Sequence, residues 1–125
     1  IKDYGFEDFI FLKKLKENAV PIHQIENNCI HQNEETSIEF IKKYNYSLQN
    51  LKKLIDSEQL QYEDTSLSAL YLKINKLKLD GLVTFLFKIS KKIIIKNLTS
   101  RYCSLFLFDF YKLGYFCLLN KNKHV

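Results

Sequence analysis

The sequence predicts a mainly α-helical domain carrying one small antiparallel β-hairpin, and three observations carry that expectation. Leu67, Leu70, Ile74 and Leu77 recur at helical spacing. Asp80-Gly81 then stops the helix. Beyond it, Val83, Phe85, Phe87 and Ile89 recur at every second residue, which is the period of a strand. Residues 66–98 therefore read as helix, stop and hairpin, and the rest of the chain is placed around them. A chain of 125 residues with 46% apolar content is one domain with a real core. One Pro and three Gly are too few turn residues for an all-β sandwich or barrel.

The first helix is expected from Asp3, as its cap, to about Glu17. Glu7 lies in its first turn, Phe6, Phe9 and Ile10 form its apolar face, and Lys13 and Lys14 lie towards its end. Pro21 ends it, and the segment to Glu35 is polar, so residues 1–36 make an N-terminal helix and linker. His23, Cys29 and His31 are metal-ligand types, but their spacing matches no standard zinc pattern and no fourth ligand is near, so no metal is expected. Thr36-Ser37-Ile38-Glu39 is a capping box that opens a second helix, with Ile38, Phe40, Ile41 and Tyr44 inside, ending near Asn45. Ser47 caps a third helix, in which Leu48, Leu51, Leu54 and Ile55 form one stripe, ending by about Ser57. After a polar connection, Ser66 caps a fourth helix reaching Asp80. Gly81 supplies the left-handed conformation that closes it. Leu82 to Ile89 then form one strand, Ser90-Lys91-Lys92 the turn, and Ile93 to Leu98 the second strand. A rival reading keeps residues 82–96 helical.

The run L-x-x-K-I-N-K-L-K-L-D-G-L-V, ending at Val83 and followed by two strand-like segments, resembles the winged helix-turn-helix superfamily over about residues 37–100, and residues 37–98 are taken as that unit. The resemblance implies that the fourth helix is the recognition helix and the hairpin the wing. Nucleic-acid contacts then fall to Lys73, Asn75, Lys76 and Lys78 on the helix, and to Lys88, Lys91, Lys92 and Lys96 on the wing. The junction I-I-I-K-N-L-T before a final helix is similar to the MarR-like regulators, which dimerise through such a helix. The segment K-L-K-L-D-G-L-V is also similar to the winged-helix half of PCI domains, which build scaffolds. The rival helical reading resembles a Bcl-2-like regulator, although that family's Trp-Gly-Arg core is missing around Gly81.

The last element, residues 99–119, is apolar nearly all round, and the tail 120–125 is basic. Asp109 and Lys112 interrupt it, which argues against a membrane span. A helix of this kind is buried on several sides, so a homodimer or a larger assembly is expected. Phe106, Phe110, Tyr111 and Phe116 are the expected partner contacts on it, joined by Leu72 and Leu79 from the fourth helix. Those two leucines lie opposite the Leu67, Leu70, Ile74, Leu77 stripe, where they suit a protein partner better than a DNA groove.

Charge divides the chain. Residues 1–64 hold eight Lys and twelve acids, net −4, whereas residues 65–125 hold eleven basic and two acidic residues, net +9. The second half therefore favours nucleic acid or an acidic protein surface as partner, or else presents a soluble lysine-rich face. Three cysteines at wide spacing, Cys29, Cys103 and Cys117, fit a reducing, intracellular setting in cytoplasm or nucleus. No phosphate loop, nucleophile elbow or His-Glu-x-x-His motif is present, so neither an enzyme nor a cofactor is expected. The leading expectation is a winged-helix nucleic-acid-binding regulator, and the alternative is a scaffold or adaptor subunit.

Overall fold

The computed structural model of the chain describes residues 4–30 and 32–122. Five α-helices are found among them: α1 (Glu7–Glu17), α2 (Ser37–Asp56), α3 (Ser66–Lys76), α4 (Asp80–Leu98) and α5 (Leu105–Lys121). A short 3-10 turn, Tyr62–Asp64, precedes α3, and no strand occurs among the described residues.

The expected hairpin is not there. Residues 80–98 form one uninterrupted helix, so there is no wing and the fold is not a winged helix-turn-helix. The cause is that α4 is apolar on two opposite sides. Phe87, Ile94 and Leu98 are buried, with Val83 half-buried beside them, while Leu82, Phe85, Leu86, Ile89 and Ile93 point outward. Two helical stripes superposed on one sequence produce an accidental alternation at Val83, Phe85, Phe87 and Ile89. The three isoleucines 93–95 disfavour helix by at most about 0.7 kcal/mol each. Burying one Phe or Ile side chain gains about 1.5–3 kcal/mol, so packing wins. Ser90-Lys91-Lys92 also lacks the Gly or Asn that a tight hairpin turn requires.

Gly81 is not the helix stop. It lies in the first turn of α4, and a Cβ placed on it would meet nothing within 4 Å. The left-handed residue is Lys78, at φ 56°. Its N–H donates to the Asn75 carbonyl at 2.9 Å and the Leu79 N–H to Ile74 at 3.1 Å, the paired bonds of a Schellman close. Glu58 (φ 59°) ends α2 and Ala19 (φ 51°) ends α1 with the same pair of bonds.

The other boundaries follow from their caps. Thr36 accepts from the Glu39 N–H at 3.3 Å while Glu39 Oε2 accepts from the Thr36 N–H at 2.8 Å, so the expected capping box opens α2. That helix continues through Asn45 and Ser47 to Asp56, uniting two helices expected to be separate. Thr65, one residue before the expected Ser66, caps α3. Ser104 caps α5, later than the expected start at 99 or 100. Asp3, the expected cap of α1, lies outside the described residues. Among those described, Phe6 holds the cap position and Gly5, at φ 97°, precedes it. The Gly5 carbonyl accepts from Asn50 Nδ2 at 2.6 Å, and a Cβ there would strike Ser47.

Helix α5 is the centre of the packing. Gln49 Nε2 donates to the Tyr115 hydroxyl at 2.8 Å, and the Tyr111 hydroxyl donates to Asn45 Oδ1 at 3.1 Å. One-turn steps pair with one-turn steps in the same direction, so α2 and α5 run parallel. Helix α4 returns on the other side, where Phe87 packs against Gly114 and meets the Tyr111 ring at 5.4 Å. At the far end Tyr71 of α3 meets the Phe116 ring at 5.4 Å, and the Tyr62 hydroxyl donates to buried Asn120 at 3.0 Å. Helix α1 closes this end with Phe6 and Ile10 on the core and a 2.6 Å ion pair from Lys13 to Asp64. That pair and the Gln61 N–H hold the Asp64 carboxyl below its usual pKa.

Two glycines separate the observed fold from the expected one. Gly81→Ala is expected to be neutral or to stabilise by up to about 1 kcal/mol, because alanine suits an open helix position. Gly114→Ala is expected to destabilise by about 1–3 kcal/mol, because the new Cβ would lie 2.6 Å from the Phe87 Cβ. Thermal or urea denaturation measures both. A second expectation concerns alkaline pH. Burial raises the Tyr71 hydroxyl to about 12 from 10.0 and the Cys117 thiol to about 12 from 9.0. Both groups ionise first in the unfolded chain, so the stability they contribute is intact below pH 9 and falls as pH rises towards 12. Melting temperatures across that range should show the decline, and Cys117→Ala should flatten its first part.

Candidate interaction surface

The eight residues expected to contact nucleic acid fall on two helices rather than on a helix and a wing. Lys73, Asn75 and Lys76 are exposed on α3 and Lys78 on the turn after it. Lys88, Lys92 and Lys96 are exposed on α4. Lys91 is half-buried, with its ammonium 5.9 Å from the centre of the Phe87 ring. Helix α3 is also rotated from the expected orientation. Ser68 and Tyr71 face the core, whereas Leu70 and Leu77 are exposed. Ser68 can be buried because its hydroxyl donates to the Tyr62 carbonyl at 2.6 Å.

The six expected partner contacts divide in the same way. Tyr111 and Phe116 are fully buried in the chain's own core, and Phe110 is half-buried against it. Leu72 is half-buried and lines a shallow hollow with Tyr62, Tyr71 and Asn120. Leu79 and Phe106 are exposed, Phe106 at 78%. The chain thus covers the C-terminal part of α5 by itself and leaves its N-terminal end bare.

One outward apolar feature is hidden in the sequence by the accidental strand period. Leu82, Phe85, Leu86, Ile89 and Ile93 are spaced i, i+3, i+4, i+7 and i+11 along α4 and are all exposed. Neighbouring isoleucines show how the helix divides: Ile93 is 72% exposed and Ile94 is 2%. Leu82 to Ile93 covers about three helical turns, and Leu79 prolongs the stripe by most of another at its N-terminal end. Lys88, Lys92 and Lys96 form an i, i+4 row on one side of the stripe, approaching it from the flank at Lys88 to the border at Lys96, and Ser90 and Asn97 lie on the other side. None of the three lysines has an acidic partner among the described residues.

A second apolar area lies where α2, the end of α4 and the start of α5 meet. A hollow of about 370 Å³ there is lined by Phe40, Ile41, Leu98, Cys103, Leu105 and Phe108. The titratable side chains of its lining are Glu35, which pairs with Lys43 at 2.6 Å, and Cys103. His23 and Cys29 are exposed on the connection before α2, and His31 and His124 lie outside the described residues. Among the described residues no three His, Cys, Asp or Glu side chains gather as metal ligands. No helix among them is long and apolar enough to cross a membrane.

Compared with protein families, curated proteins and solved structures, the chain finds no match.

The three thiols should report this geometry. Cys29 and Cys103 are exposed and Cys117 is buried. Alkylation of the native protein at pH 8 should label Cys29 and Cys103 quickly and Cys117 only on unfolding, as peptide mass mapping would show.

Proposed function

We propose that the chain is a non-enzymatic protein–protein interaction module, an adaptor or scaffold subunit that works in an assembly with another chain. The observation that carries this reading is the outward stripe of α4. Five large apolar side chains lie on one helix face that the fold does not use, and contiguous exposed apolar surface of this kind marks interaction sites. The bare N-terminal end of α5, with Leu105 and Phe106, adds to it. The lysine-rich second half gives such a module a preference for acidic partners.

Nucleic-acid binding draws less support. Its expected recognition helix and wing were one unit, and the wing segment is helical. The lysines that remain border exposed leucine, phenylalanine and isoleucine, which gain nothing from a phosphate backbone.

The isolated chain is expected to self-associate or aggregate at high concentration because the α4 stripe is uncovered. Leu86→Glu combined with Ile93→Glu should suppress this in light scattering, with stability changed by no more than about 1 kcal/mol, since both side chains are exposed. A wild-type chain that stays a monodisperse monomer at millimolar concentration and binds no partner helix would overturn the proposal.

A further inference from the structure

We propose that the outward face of α4 docks an acidic amphipathic helix of a partner protein. Its apolar side would lie on Leu82, Leu86, Ile89 and Ile93, and its acidic edge would face Lys88, Lys92 and Lys96. This rests on reading the chain as an interaction module, and it names the occupant.

Three features of the face select that occupant. From Leu82 to Ile93 the stripe is about three turns long, which fits one helix lying along it. The lysines recur every fourth residue, the same axial repeat that places acids on one edge of a partner helix. The charge stands on one edge only, with Ser90 and Asn97 on the other. An anionic membrane would favour cations along both edges of a buried stripe. A single helix with one acidic edge needs them on one, and the asymmetry fixes which way the partner lies. A second copy of α4 supplies no counter-charge, because Asp80 is the one acid in that helix and stands at its start.

The test uses the full chain and a displayed library of 20-residue helices with leucines fixed at heptad positions and edge positions varied among Glu, Gln and Lys. Selection should enrich Glu on one edge. The selected peptides should bind about tenfold tighter than their Lys-edged counterparts at moderate salt, the sum of three small exposed ion pairs. Lys88→Glu with Lys92→Glu and Lys96→Glu should invert the preference, and Leu86→Glu with Ile93→Glu should abolish binding. Circular dichroism should show both variants folded.

Peptides that bind without charge preference but are lost in the Leu86, Ile93 variant would overturn the acidic partner and leave the interaction module standing. Binding that survives in that variant would overturn the site. No binding by any peptide, together with a monomeric chain, would overturn both the site and the module. Tighter binding to vesicles of anionic phospholipid than to any peptide would overturn the partner in favour of a membrane surface. Self-association that selected peptides do not displace would assign the face to a second copy and overturn the proposal.

Discussion

The contact between Phe87 and Gly114 is the constraint on which the arrangement depends. Only a residue without a side chain lets the middle of α4 come that close to α5, with the Phe87 ring lying over the gap. The approach brings Phe87 against Tyr111 and seats Ile94 and Leu98 in the same core. Because α5 is already fixed to α2 by the Tyr111–Asn45 and Tyr115–Gln49 hydrogen bonds, α4 has one rotation available. That rotation turns Leu82, Leu86, Ile89 and Ile93 outward. The exposed apolar stripe is thus a consequence of how the core closes, and changing Gly114 or Phe87 would disturb both.

What could be read in the sequence was local and chemical. The Thr36–Glu39 capping box is a short-range pattern with one geometric solution, and it opens α2 as expected. The apolar last helix is central, as its composition required, with Tyr111 and Phe116 fully buried. What could not be read was the choice between two periods in one apolar run. Residues 82–98 are rich in apolar side chains on both faces, so strand and helix templates both match, and only the packing of Phe87 on Gly114 decides. Helix ends failed for a related reason. Lys78, Glu58 and Ala19 adopt the left-handed conformation that sequence reasoning assigns to glycine. Gly81, which looked like the stop, sits inside the next helix instead. The surrounding hydrogen bonds of each Schellman close offset the conformational cost.

The site was half legible for the same reason. Lysines at 88, 92 and 96 were visible as candidates for an anionic partner, because exposed charge needs no knowledge of the fold. The apolar stripe beside them has the period of a strand in the sequence, which hides its outward direction. The sequence directs Tyr111 and Phe116 to a partner, because an all-round apolar helix asks for more cover than one small domain ordinarily supplies. The chain covers them with α2, α3 and α4, and the apolar surface left over lies on α4 and at the start of α5.

The uneven charge of the sequence acquires a structural meaning here. Acids of the first half are matched close by: Glu35 with Lys43, Asp56 with Lys52, and Asp64 with Lys13. Every one of those cations also belongs to the first half, so these pairs close within it while the half as a whole keeps its net charge of −4. In the second half Asp109 is held by Lys112, and α4 keeps Lys88, Lys92 and Lys96 without a counter-charge among the described residues. A surplus of that kind is felt over about 8 Å at physiological salt, far enough to orient an approaching acidic helix but too short to recruit one from a distance. In the proposed complex charge would set orientation and selectivity, and the apolar stripe would supply the binding energy. A partner with acids but no apolar face would be steered and released, and one with an apolar face but no acids would bind in either direction.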